Sequence, residues 1–333
     1  MTLLAETVAF LNPTQTQRVQ SSGIPSIVLN AEAETASESS SATKSICSFD
    51  ESDFSGRTSW PYTAADLNRL DNSDDSNFYT DPRLVTHIDD TAIQSLTDYY
   101  RESFEEFAAG SEEPVTIDIL DMCSSWISHL PTVDSDSKFR YGNVVGLGMN
   151  QAELDENKQL TSNIVQDLNV SPKTASLEDN SFDFVTMTVS IDYLIKPLEI
   201  VQEIQRVLKP KGSALISFGN RCFPTKAVAM WLQADDIERI TIVASYFHYA
   251  QYDQGDNMDG GDDINDGNDE QLFQWKSIEA FDLKEEPKEL PTKPSMGELM
   301  SNPTLGVAWM NAAAAIQKAN QSDPLFVIKA TKE

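Results

Sequence analysis

The chain has 333 residues, of which 40% are hydrophobic and 9% aromatic, enough for one large domain or two small ones with a real core. Its 53 acidic and 24 basic residues leave a formal net charge of -29 and a pI of about 4.3. That balance disfavours phosphate backbones and anionic membrane surfaces, so neither nucleic acid nor membrane is expected as a partner. A small-molecule substrate or a basic protein partner fits it better.

No run of about 18 apolar residues is present, so no transmembrane helix is expected. Cys47, Cys123 and Cys222 are sparse and far apart, which suggests a reducing compartment, the cytoplasm, over a disulfide framework. His87, His129 and His248 show neither HExxH nor paired-cysteine spacing, which argues against a dedicated zinc or iron site. The opening MTLLAETVAFLNP is mildly apolar without a basic start and does not read as a secretory signal. A transit segment for a plastid or other organelle is the alternative, opposed by the shortage of Arg and Lys.

Residues 1–76 are rich in Ser, Thr, Asp and Glu, with too little apolar surface to offset the entropy of ordering, so most of this extension is expected to be disordered. Trp60, Pro61 and Tyr62 are the exceptions and are expected to dock on the domain. Order is expected from Phe78, defining a domain over 77–333. Asp89 or Asp90 caps a predicted helix running to about Ala109, with Gly110 as its stop. Ile93, Leu96, Tyr100, Phe104 and Phe107 give it one apolar face. Tyr79, Arg83 and His87, just before it, read either as a packed helix entry or as a lid over a ligand.

Val115, Ile117, Ile119 and Leu120 form a buried strand ending in Asp121 and the small polar residues Cys123, Ser124 and Ser125. A short helix or turn is expected over Trp126 to Leu130. Further strands are predicted at Asn143 to Leu147, Asn163 to Gln166, Phe182 to Val189 and Ala214 to Phe218. A helix opens at Gln151, and another has Pro197 in its first turn and Ile200, Val201, Ile204, Val207 and Leu208 as its buried stripe. Such alternation implies a doubly wound α/β sheet with ligands at the carboxyl edge of the strands. Later come predicted helices at Lys226 to Leu232, Asp235 to Phe247 and around Val307 to Lys318, and strands at Ser277 to Leu283 and Leu325 to Ala330. Between Tyr252 and Glu270 lie eight acids and no base; EF-hand spacing fails there, and a mobile acidic insertion is expected.

The segment SFDFVTMTVSIDYLIKPLEIVQEIQRVLKPKGSALISF, with its EI-RVLKP-G helix, resembles S-adenosylmethionine-dependent methyltransferases, and the type 11 methyltransferase domain in particular. ILDMCSSW aligns with that family's first motif, normally an Asp followed by a glycine-rich loop. The resemblance implies a Rossmann-like, seven-stranded, mostly parallel sheet of order 3-2-1-4-5-7-6, with S-adenosylmethionine as cofactor. It also implies cofactor contacts from Asp121, Cys123, Ser124, Ser125, Trp126, Asn150, Asp167, Leu168 and Thr188. Asp121 would meet the ammonium or order the loop, Ser124 and Ser125 would offer donors to the carboxylate, and Asp167 and Leu168 would take the adenine. Asp192, Tyr193, His87 and Asn220 are the catalytic candidates, with Ser190, Arg221 and Cys222 beside them. Family glycines are replaced by Cys123 and Ser125, and Gly148 stands where an acid normally binds the ribose, so altered ribose recognition is expected. The implied activity is methyl transfer to a small molecule, the rival being a noncatalytic methyltransferase-like binding or scaffold protein.

Overall fold

A computed structural model describes residues 43–54, 56–252, 271–284, 289–295, 301–302 and 304–333. Its sheet has eight strands: β1 (Lys44–Ser48), β2 (Val115–Met122), β3 (Phe139–Gly148), β4 (Ser162–Val165), β5 (Phe182–Thr188), β6 (Leu208–Gly219), β7 (Trp275–Asp282) and β8 (Leu325–Lys332). They lie in the order β1-β7-β8-β6-β5-β2-β3-β4. From β2 onward this is the expected 3-2-1-4-5-7-6 arrangement. Strands β2 to β6 pair in parallel, and β8 runs antiparallel to both β6 and β7. The expected count of seven is corrected by β1, which adds an antiparallel edge strand to β7.

The helices follow their caps. The Asp89 carboxylate accepts from Thr91 and Ala92 amides and opens the second helix, α2 (Asp90–Phe107); α1 is the single turn Asp75–Phe78. Gly110, at φ +88°, follows the end of α2. Phe104 of α2 packs on Phe184 of β5 and Phe139 of β3, at 4.6 and 5.4 Å between ring centroids. Next in order are α3 (Gln151–Glu156) and α4 (Pro197–Val207), which buries Ile200, Val201, Ile204 and Val207. Then come α5 (Ala229–Gln233), α6 (Asp236–Tyr249) with an Asp235–Glu238 capping box, and α7 (Thr304–Asn320).

Lys209 shows what the RVLKPKG segment does. Strand β6 begins at Leu208, so the lysine lies on the sheet, where Nζ meets Asp118 of β2 and Asp183 of β5 at 2.8 Å each. It neutralises two acids on neighbouring strands, away from the carboxyl edge. Burial works against its charge, yet the two carboxylates outweigh burial and raise its pKa.

Two expectations need amendment. The described structure begins at residue 43, not at Phe78, and residues 43–78 hold β1, a 3-10 turn (Glu51–Phe54) and α1. Trp60 and Tyr62 do dock, with Trp60 5.9 Å from Tyr246 and 5.8 Å from Tyr249 on α6. Aromatic side chains supply the apolar area that composition averages hid. Of the short helix or turn expected over Trp126 to Leu130, no helix forms; residues 123–138 make an irregular crossing from β2 to β3. The transit segment and the rest of residues 1–42 lie outside the described residues, as does 253–270 of the acidic insertion.

Candidate functional site

The cleft lies at the carboxyl edge of β2 to β6, and the loop after β2 forms its floor. Asp121 is the hub of that loop. It is buried, and its carboxylate accepts from Ser124 Oγ and Ser128 Oγ at 2.6 Å each and from Thr186 Oγ1 at 3.0 Å. Burial pushes its pKa up to about 6, against the pull of those three hydroxyls. The acid therefore orders the loop. Cys123 holds φ 56°, and burial beside Asp121 pushes its thiol up to about 12, so it is not a thiolate at neutral pH.

Gly148, at the end of β3, explains the missing ribose acid. A Cβ there would lie 2.2 Å from the Ser124 carbonyl oxygen, so no side chain fits while the loop keeps this path. Asn150 does not replace that acid: its Oδ1 caps α3, and its Nδ2 donates to the Tyr79 carbonyl at 2.8 Å. Glu153 is the buried acid on this flank. It accepts from Ser125 Oγ at 2.6 Å and from the Arg83 amide at 2.7 Å.

A strap formed by residues 69–88 roofs the cleft. Buried Asp75 accepts from Arg69 at 2.8 Å and Asn169 at 2.9 Å, and pairs with buried Lys226 at 3.1 Å. Burial alone would raise the Asp75 carboxyl, but these donors outweigh it and hold it below the usual carboxylate range. Trp126 Nε1 donates to the Val85 carbonyl at 3.0 Å, which ties the far end of the strap to the loop. The lid reading of Tyr79, Arg83 and His87 thus fits better than a simple helix entry.

The β5 and β6 ends supply the opposite wall. Tyr193 Oη accepts from the Phe223 amide at 2.9 Å, and Thr188 Oγ1 shares a 3.1 Å hydrogen bond with Tyr100 Oη. Arg221 pairs with Asp323 at 2.9 Å. Burial lowers the His87 pKa, with Glu153 opposing and Arg83 assisting, so the ring is neutral at pH 7.

Asp121, Cys123, Ser124, Ser125, Trp126, Asn150, Asp167, Leu168, Thr188, His87, Tyr193 and Asn220 all line this one cleft. Asp192 does not. It is buried behind the wall, where burial pushes its carboxyl up to about 8, and Cys222 also lies off the cleft. The Ser124 and Ser125 hydroxyls, expected to face a ligand carboxylate, are instead spent on Asp121 and Glu153. Sequence reasoning missed Arg69, Asp75, Glu153, Asn169, Phe223 and Lys226. Arg69 carried a signal, as the sole base between residues 58 and 82; the Asp75–Lys226 pair carried none, because only the fold brings its members together.

Among the described residues no group of three or more His, Cys, Asp or Glu is placed to hold a metal ion, and no helix is long and apolar enough to cross a membrane.

A family model described as a methyltransferase domain matches residues 133–216, from before β3 into β6. That match and the strand order above are features the chain shares with the S-adenosylmethionine-dependent methyltransferases. The matching model is the type 11 methyltransferase domain, and S-adenosylmethionine is the cofactor of that class. No curated protein matches the chain. Among solved structures, a methyltransferase from Archaeoglobus fulgidus is 12% identical, with 71% of this chain and 94% of that one covered and a TM-score of 0.37. The cyclase SpnF is 14% identical, with 77% and 91% covered and a TM-score of 0.38. A methyltransferase from Mesorhizobium loti is 10% identical, with 70% and 96% covered and a TM-score of 0.32. These likenesses are too slight to carry an argument.

Proposed function

We propose that this protein transfers a methyl group from S-adenosylmethionine to a small-molecule acceptor, in the cytoplasm. The observation that carries the reading is the strap: Asp75, Arg83 and Val85 each tie residues 69–88 across the strand edge, leaving a roofed cleft. A roof of this kind suits a small acceptor better than a polymer. Free Cys47, Cys123 and Cys222 fit a reducing compartment.

The donor set suits the cofactor. Leu168 is buried at the end of the β4 loop and offers an apolar face to the adenine, with the Asp167 carboxylate beside it to accept from the amino group. Glu153 is the cleft acid nearest the loop and the strap, and stands in for the absent acid at position 148. S-adenosylmethionine supplies an activated methyl on a sulfonium. Alignment and exclusion of water then carry most of the catalysis. The strap excludes water, while Tyr193 and Phe223 form the acceptor wall. Asn220 offers a carboxamide to orient the acceptor, and a neutral imidazole nitrogen of His87 takes the acceptor's proton. Asp192 supports the wall from behind, its carbonyl accepting from the Val228 amide at 2.9 Å.

The second reading, a noncatalytic binding or scaffold module, is favoured by the Ser124 carbonyl seated on Gly148. Calorimetric titration with S-adenosylmethionine separates the two; absence of heat would sink the catalytic reading. The deciding experiment is incubation of a soluble extract with methyl-labelled cofactor and pure protein, with products sorted by size. Label is expected in the low-mass fraction. Label in protein would point instead to a basic protein acceptor. Replacing His87 with Ala should leave cofactor affinity unchanged and lower turnover by ~10²- to 10⁴-fold; unchanged turnover would remove His87 from the chemistry.

A further inference from the structure

Four cations line the cleft, and three are paired: Arg69 with Asp75, Lys226 with Asp71 and Asp75, and Arg221 with Asp323. Arg83 is different. Among the described residues its guanidinium makes no ion pair, in a chain with 53 acids and 24 bases. It is half-buried, its guanidinium carbon 4.1 Å from the centroid of Phe78 and 5.7 Å from that of Phe223. Its backbone is fixed by the Glu153 carboxylate at 2.7 Å. Ring faces stabilise the charge but take up none of the guanidinium N–H donors. A held, partly desolvated cation with open planar donors matches a carboxylate, which such a fork binds with two parallel hydrogen bonds.

The loop after β2 strengthens the inference. No helix follows within 123–138, so no helix N-terminus offers free amides there. Ser124 Oγ and Ser128 Oγ donate to Asp121, and Ser125 Oγ to Glu153. The Ser124 amide donates to the Leu147 carbonyl at 2.8 Å, and Trp126 Nε1 to Val85. These donors are spent on the protein itself, and the side chains that the serine hydroxyls reach, Asp121 and Glu153, are acids. A carboxylate entering this cleft must find its counter-charge elsewhere.

We propose that Arg83 is the carboxylate seat of the cleft, a role that rests on the methyltransferase reading. The carboxylate is that of the cofactor's methionine end or of the acceptor, and the two arms below tell them apart. In the first arm, wild type and Arg83→Gln are titrated with S-adenosylhomocysteine and with 5′-methylthioadenosine, which lacks the amino-acid end. If the cofactor is the source, Arg83→Gln weakens S-adenosylhomocysteine by ~10- to 100-fold and leaves methylthioadenosine within about twofold. In the second arm, protein saturated with S-adenosylhomocysteine is titrated with benzoate and benzamide. If the acceptor is the source, wild type prefers benzoate and Arg83→Gln loses that preference while holding S-adenosylhomocysteine normally. Arg83→Lys keeps the charge without the fork and should retain part of either effect, which also covers poor folding of the Gln variant. Equal weakening of both nucleosides, or no change with any probe, overturns the inference alone. Failure of wild type to bind S-adenosylhomocysteine overturns the methyltransferase reading and this inference with it.

Discussion

Gly148 and Asp121 make the loop after β2 a unit. The Ser124 carbonyl occupies the space a side chain at 148 would need, and Asp121 holds Ser124 in place. Restoring the family acid should therefore do harm. Gly148→Asp is expected to lower stability by about 1–3 kcal/mol through overpacking against backbone, without tightening cofactor binding. Thermal unfolding and calorimetry check both halves, and a gain in affinity would refute the coupling. Asp121 gives a pH signature of unusual sign. Its folded pKa of about 6 lies above the ordinary value of 3.8, so ionisation favours the unfolded chain. Its contribution is greatest below about pH 4 and is lost as pH rises towards about 6. Stability of wild type minus that of Asp121→Asn should rise as pH falls from about 7 to 4. A flat difference would mean that Asp121 titrates normally.

The strap is the element that makes the cleft. Its anchor, Asp75, sits with Arg69 and Lys226 in a buried network. Removing one partner of such a network leaves a buried charge uncompensated. Asp75→Ala should cost about 3–5 kcal/mol and open the roof, seen as lost stability and as faster amide exchange over 69–88. Unaltered exchange there would show that the strap is held by other contacts. Most of the sheet behind it was legible in the sequence. Apolar runs ending at Asp121, Gly148 and Asp167 marked the strand ends, and Pro197 with its buried stripe marked α4. Those signals are local, a matter of period and turn chemistry. The strap was legible only in part, as the lid reading of Tyr79, Arg83 and His87, because its ordering depends on contacts from Asp75 to Asn169 and Lys226, far along the chain. β1 was missed for the same reason: Lys44–Ser48 is polar and becomes a strand only by pairing with β7.

At the scale of the whole molecule, charge is the dominant feature. A net -29 repels itself in the compact state. Screening should relieve this, so raising the salt from about 20 mM to about 0.5 M is expected to raise the melting temperature. A fall would mean that pairs such as Lys209 with Asp118 and Asp183 outweigh the general repulsion. Ion pairs such as Lys209 with Asp118 and Asp183, Arg221 with Asp323 and Lys226 with Asp75 join segments distant in sequence. Local packing of β2, β3 and β5 can precede them.

β1 has one more consequence, and it concerns time. Its partner strand, β7, begins at Trp275, which in turn needs β8 at the far end of the chain. An N-terminal strand that waits for a C-terminal one is a contact of very long sequence separation. During synthesis the parallel core can assemble while β1 remains unpaired. The edge strand β1 is thus the part of the sheet whose pairing comes late, while the strap's own ties, from Asp75 to Lys226 and Asn169, lie within the core that forms before it.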